Sequence, residues 1–170
     1  MRKSAKELCE IAVFVALLAV SAWISIPVGA VPITLQTLVV ALAGLILGAE
    51  RGMLAVFFYL AMGFCGIPVF AGFKSGVAML VMPTGGFLFG LPMFAFLVGM
   101  GGKFKSKAMK ISLSALGLFL CYLFGLIWFE RTSGIGVWQA VLACIVPFIL
   151  PDIIKLVTAY IIAEKIKKQG

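Results

Sequence analysis

From Leu8 to Ala163 the chain is a succession of apolar stretches, most of them close to the length of one membrane-crossing helix, separated by short breaks rich in glycine, proline or lysine. A helix needs about 20 apolar residues to cross the hydrocarbon core, and its backbone groups must bond internally there. That pattern predicts an all-α integral membrane protein. The composition agrees: 64% of residues are apolar and 12% charged, and the mean hydropathy is +1.22, far from the range of soluble globular domains. With 170 residues there is room for about six spans and no sizeable soluble domain.

The breaks place the spans at about 8–26, 33–49, 53–67, 84–100, 108–129 and 151–167, within one domain over 1–170. Pro27 ends the first, and Glu50-Arg51-Gly52 reads as a tight polar turn after the second. Pro68 to Pro83 is mostly apolar, holds Gly72, Lys74 and Gly76, and is long for a simple turn, which suits a lid or re-entrant loop. Glu130 to Gly136 reads as another polar turn. The apolar segment 137–150 is too short to span, and is either a short helix in the outer membrane or part of a last helix bent near Pro147 and Pro151. Trp128 and Trp138 suit an interfacial belt.

Charge orients the bundle. Six spans with a cytoplasmic N-terminus put Arg2, Lys3, Lys6, Arg51, Lys103, Lys105, Lys107, Lys110, Lys165, Lys167 and Lys168 inside, and only Lys74 and Arg131 outside. A seventh span would export the basic C-terminus. Both termini are thus expected in the cytoplasm, in a multi-pass protein of the cell (plasma or inner) membrane. This accounts for the +8 net charge without a nucleic-acid partner, since the basic residues sit at segment ends rather than in a hydrophilic module. No cleavable signal is expected, because Met1 to Lys6 leads into a long apolar run without a small-residue cleavage site.

Several kinds of chemistry are disfavoured. There is no histidine, and Cys9, Cys65, Cys121 and Cys144 are far apart without CxxC spacing, so they read as small apolar fillers rather than metal ligands or nucleophiles. No Walker A pattern is present, so energy for any active process must come from partners or a gradient. No metal or cofactor is expected.

Against this background Asp152 and Lys155 stand out, an acid and a base inside the last long apolar segment. Each such charge at bilayer depth costs roughly 2.5 to 3.5 kcal/mol on insertion scales, and is rare unless paired, hydrated or holding a ligand. Pro151 suits the first turn of a helix, which would set Asp152 near the positive end of the helix dipole with Lys155 on the same face. The pair either neutralises itself or forms a small-molecule site, in which the carboxylate accepts from ligand N–H groups and the ammonium donates to a carbonyl or carboxylate oxygen, as would suit a cyclic urea. Phe70, Phe73, Phe87 and Tyr122 are candidate walls. Thr34, Gln36 and Thr37 open the second span; they either cap it or point into the cavity, and spacing favours capping. The glycines of Pro83-Thr84-Gly85-Gly86 let backbone approach a helix or a ligand closely. On the first span Ala12 and Ala16 share a face where another helix can pack closely.

Val31-Pro32-Ile33-Thr34-Leu35-Gln36-Thr37, Gly66-Ile67-Pro68-Val69-Phe70-Ala71-Gly72, Pro83-Thr84-Gly85-Gly86-Phe87 and Pro147-Phe148-Ile149-Leu150-Pro151-Asp152-Ile153-Ile154-Lys155, in this order, resemble the BioY proteins. These are the biotin-specific substrate-binding (S) components of energy-coupling factor (ECF) transporters. The resemblance implies a six-helix bundle that captures biotin from outside, with external loops closing a site in which Asp152 and Lys155 contact the ligand. Thr34, Gln36, Phe70, Phe73, Lys74, Thr84, Gly85, Gly86, Phe87 and Tyr122 complete the expected biotin site. It also implies that Ala12 and Ala16 dock against a membrane coupling subunit driven by two ATPase subunits. Two positions depart from the family pattern: Phe87 stands where tyrosine follows PTGG, and Phe73-Lys74-Ser75 lacks an asparagine, its polar place left to Lys74 or Ser75. Other readings are an S component for another vitamin such as thiamin or riboflavin, an intramembrane acyl or prenyl transferase using Asp152, or a structural subunit with a buried salt bridge.

Overall fold

The computed structural model describes residues 5–28 and 31–169. Arg2 and Lys3 of the basic N-terminus, and Gly29 and Ala30 of the first loop, lie outside the described residues. Among the described residues, eight α-helices and a two-stranded antiparallel ladder follow in the order α1 (Ala5–Trp23), β1 (Ser25–Ile26), β2 (Ile33–Thr34), α2 (Gln36–Leu47), α3 (Ala49–Phe64), α4 (Ala78–Val81), α5 (Gly85–Gly101), α6 (Lys107–Ser133), α7 (Val137–Cys144) and α8 (Val146–Gln169). A 3₁₀ turn, Ala71–Phe73, lies between α3 and α4.

The helix limits differ from the sequence expectation where local bonding offers a better solution. The first loop is not wholly irregular, because Ser25 pairs with Thr34 and Ile26 with Ile33, which shortens both flanking helices. The break between α2 and α3 is Gly48 (φ 86°, ψ 172°), a conformation that L side chains rarely adopt, so Glu50-Arg51-Gly52 is the first turn of α3 rather than a loop. There Arg51 donates to Leu47 O and meets Glu10 at 3.3 Å and Glu7 at 3.6 Å, fastening α3 to the start of α1. Glu130 to Ser133 is helical too, since the Thr132 and Ser133 hydroxyls turn back to carbonyls of Trp128 and Phe129, and α6 stops only at left-handed Gly134. The 137–150 segment divides: α7 is a separate short helix, and Ile145 (φ −119°, ψ −57°) is the joint to α8. Pro147 therefore occupies the first turn of α8, while Pro151 is inside it, and Asp152 lies beyond the reach of the helix N-terminus.

Apolar side chains fill the interior and cover much of the exterior. The core of Leu18, Val40, Ala41, Val56, Tyr59, Phe94 and Val98 is joined by the buried polar residues Ser114, Asp152 and Lys155. Phe119 and Ile111 of α6 and Leu150, Ile154 and Val157 of α8 are exposed. A continuous apolar exterior is unfavourable in water and matched by lipid tails. Among the described residues, the helical stretches long and apolar enough to cross a membrane singly are Lys107–Ser133 and Val137–Lys168, the latter holding the joint at Ile145. Cys121 and Cys144 are buried, as fillers would be, whereas Cys9 and Cys65 are exposed.

The β1–β2 ladder, the α3–α5 connection, α7 and the start of α8 gather at one end of the bundle. Trp23 Nε1 donates to Pro68 O at 3.0 Å and the Trp23 ring stacks on Phe73 at 5.0 Å, while Trp128 Nε1 donates to Met82 O at 3.2 Å. The long connection is thus tied to α1 on one side and α6 on the other.

Candidate functional site

Beneath this end lies a cavity of about 270 Å³. It is lined by Val31, Pro32, Thr34, Gln36 and Thr37 from the first loop and α2, by Phe70, Ala71, Lys74, Met79, Met82, Pro83 and Thr84 from the long connection, and by Phe87, Leu88, Leu91, Cys121, Tyr122, Phe148, Asp152 and Lys155 from α5, α6 and α8.

At its buried end Lys155 Nζ donates to Asp152 Oδ1 at 2.8 Å, the i, i+3 spacing on α8 having put both groups on one face. Thr37 Oγ1 of α2 also donates to Oδ1, at 2.8 Å, and Tyr122 Oη of α6 donates to Oδ2 at 2.7 Å. The carboxylate therefore ties three helices together. An ionised carboxylate offers about four lone-pair sites and an ammonium three N–H groups, so after these contacts Asp152 can accept once more and Lys155 can donate twice more. Beside them, Gln36 Nε2 donates to Tyr59 Oη at 2.8 Å and Tyr59 Oη donates to Val69 O at 3.1 Å, joining α2 and α3 to the connection that carries Phe70.

Nine of the twelve residues of the expected biotin site meet at this cavity: Thr34, Gln36, Phe70, Lys74, Thr84, Phe87, Tyr122, Asp152 and Lys155. Three do not line it. Phe73 is 65% exposed and stacks on Trp23, its left-handed backbone (φ 58°) turning the ring out of the cavity. Gly85 and Gly86 serve helix packing: a Cβ on Gly85 would meet the carbonyls of Met79 and Leu80, and one on Gly86 would strike Trp128. Of the three residues for which spacing favoured capping, Thr34 accepts from Gln36 N at the start of α2, at 3.3 Å, whereas Thr37 bonds Asp152. Its signal in sequence was the polar cluster of Thr34, Gln36 and Thr37 at the loop end of an otherwise apolar segment.

Away from this site, Ala12 and Ala16 lie exposed in an apolar groove of about 440 Å³ between α1 and α3, with Leu8, Ile11, Val15, Ala19, Phe58 and Met62.

The sequence profile of the BioY family matches residues 1–170. A Pyrococcus horikoshii protein named probable biotin transporter BioY is 44% identical over 163 residues, 96% of this chain and 97% of its own length. The biotin transporter BioY of Thermotoga maritima is 42% identical over 164 residues, covering 96% of each. A crystal structure described as the S-component for biotin from an ECF-type ABC transporter superposes with a TM-score of 0.87 at 27% identity, over 99% of this chain and 96% of that one.

Proposed function

The chain belongs to the BioY family, and on that premise we propose that it is the biotin-binding subunit of an ECF-type uptake system, capturing biotin at the external side of the cell membrane. It is a transport protein rather than an enzyme, and biotin is its cargo rather than a cofactor.

The observation that carries this reading is the buried Asp152–Lys155 pair facing an apolar cavity. Hiding two charges costs several kcal/mol each, and apolar residues of similar volume often stabilise a fold as well or better. A pair kept for recognition has a use for its remaining hydrogen-bonding capacity. The ureido ring of biotin carries two N–H groups and one carbonyl; the acceptor left on Asp152 suits one of the N–H groups, and the donors left on Lys155 suit the carbonyl. Phe70, Phe87, Leu88 and Leu91 supply apolar walls for its sulfur ring and aliphatic chain.

Residues 1–170 act in this proposal as one transmembrane domain with α1, α2, α3, α5, α6 and α8 as its six spans. Both termini are cytoplasmic. The distribution of lysine and arginine supports that orientation, with Lys74 and Arg131 on the ligand-capturing side. The Ala12–Ala16 groove receives a helix of the membrane coupling subunit, which two ATPase subunits drive.

Purified protein in detergent is expected to gain about 2.7 kcal/mol of stability at biotin concentrations 100 times Kd, read as a rise in Tm. Absence of that rise, or an equal rise with thiamin or riboflavin, overturns the choice of ligand. Ala16→Trp fills the groove and is expected to abolish co-purification with the coupling subunit while biotin still raises Tm. Undiminished co-purification would remove the groove from the docking surface.

A further inference from the structure

The charges that line the cavity do not balance. Asp152 and Lys155 cancel, and the remaining ionised group is Lys74. The ion pairs among the described residues join Arg51 to Glu7 and Glu10 and Lys155 to Asp152, and none includes Lys74. Lys74 is exposed, whereas Asp152 and Lys155 are buried, which sets the uncompensated cation at the open end of the cavity and the neutral pair at its closed end.

Lys74 is also held in place. Its carbonyl accepts from Phe70 N at 3.1 Å, closing a bridge with a residue whose ring is buried against Tyr59 and Phe64. The residue before it is stacked on Trp23. The backbone that carries the ammonium is thus fixed to α1 and α3, and only the side chain is left to find a partner.

We propose that Lys74 sets the charge selectivity of this site, its ammonium pairing with a carboxylate at the open end of the ligand so that a monoanion is preferred to its neutral counterpart. This rests on the biotin reading above, because biotin with its ureido ring at the closed end directs its carboxylate towards the mouth. Desolvation at a cavity mouth is incomplete, so the preference is modest and weakens with salt.

The test compares biotin with neutral biotinamide by calorimetric titration of the full chain and its Lys74→Gln, Lys74→Arg and Lys74→Glu variants. The wild type is expected to favour biotin by about fivefold, within the range of a partly exposed ion pair. Lys74→Gln should bring the ratio of the two dissociation constants to about one, Lys74→Arg should keep it, and Lys74→Glu should reverse it. Raising the ionic strength should narrow the wild-type ratio and leave that of Lys74→Gln flat. A ratio that survives in Lys74→Gln, or an equal loss of both ligands in that variant, overturns the assignment while leaving biotin capture standing. If the wild type binds neither compound, the ligand reading falls and this assignment falls with it.

Discussion

Asp152→Asn is expected to weaken biotin binding by at least about 100-fold, measured by calorimetric titration, and to lower Tm in the absence of ligand. The substitution removes the charge that offsets Lys155 and puts an amide, half donor and half acceptor, where Thr37, Tyr122 and Lys155 all donate. Removing one partner of a buried pair typically costs about 3 to 5 kcal/mol, and each 1.4 kcal/mol of lost binding is tenfold in Kd. A second variant separates stability from recognition. Asp152→Leu combined with Lys155→Met removes both charges and should recover most of the lost Tm, since apolar replacement of a whole pair is often neutral or better. It should remain unable to bind biotin. Recovery of binding along with stability would make the pair a structural feature and remove it from the ligand site.

Gly99→Val is expected to prevent folding, with the protein lost to aggregation on size-exclusion chromatography in detergent. A Cβ at Gly99 would lie 2.6 Å from both Cα and N of Ala49 and 2.8 Å from Gly44 O, and one at Gly44 would collide with Ala95 O. These are backbone atoms of α2, α3 and α5, so no rotamer change relieves the contact. Overpacking a core costs about 1 to 3 kcal/mol where side chains can yield, and more is expected where helix axes must separate. Phe119→Leu, on the exposed face of α6, is the matching control and should leave Tm within about 2 °C. A monodisperse Gly99→Val protein with unchanged Tm would show that the three helices do not depend on this approach.

Much of the site was legible because lipid makes polarity conspicuous. Asp152 and Lys155 could be read from cost alone, and the basic turns indicated which loops share an end. The alternation of apolar runs and breaks revealed the long helices, but not their limits. Each limit depends on a local bond that competes with helix: the Ser25–Thr34 ladder shortens α1 and α2, while backbone-bonded hydroxyls let α6 run on to Ser133. Pro151 misled for a related reason. Proline is tolerated in a first turn, and Pro147 already occupies that place, so the helix starts earlier and Asp152 acts through side-chain partners rather than the helix dipole. Phe73 and Thr37 exchanged roles because spacing along a loop does not tell which way a side chain turns. That direction came from contacts distant in sequence, Trp23 for one and Asp152 for the other.

The Gln36–Tyr59–Val69 chain has a direction. A backbone carbonyl can only accept, so the Tyr59 proton is committed to Val69 O and the phenol must in turn accept from Gln36 Nε2. That removes the two-fold ambiguity of the Gln36 amide. Its oxygen, which takes the Thr34 hydroxyl at 3.3 Å, is left as the cavity-facing end, and one lone pair on it is still open. The Val69 carbonyl, on a residue that does not itself line the cavity, thus orients Gln36 so that its oxygen offers an acceptor to a molecule that reaches it. A ligand N–H or O–H group finds its partner there.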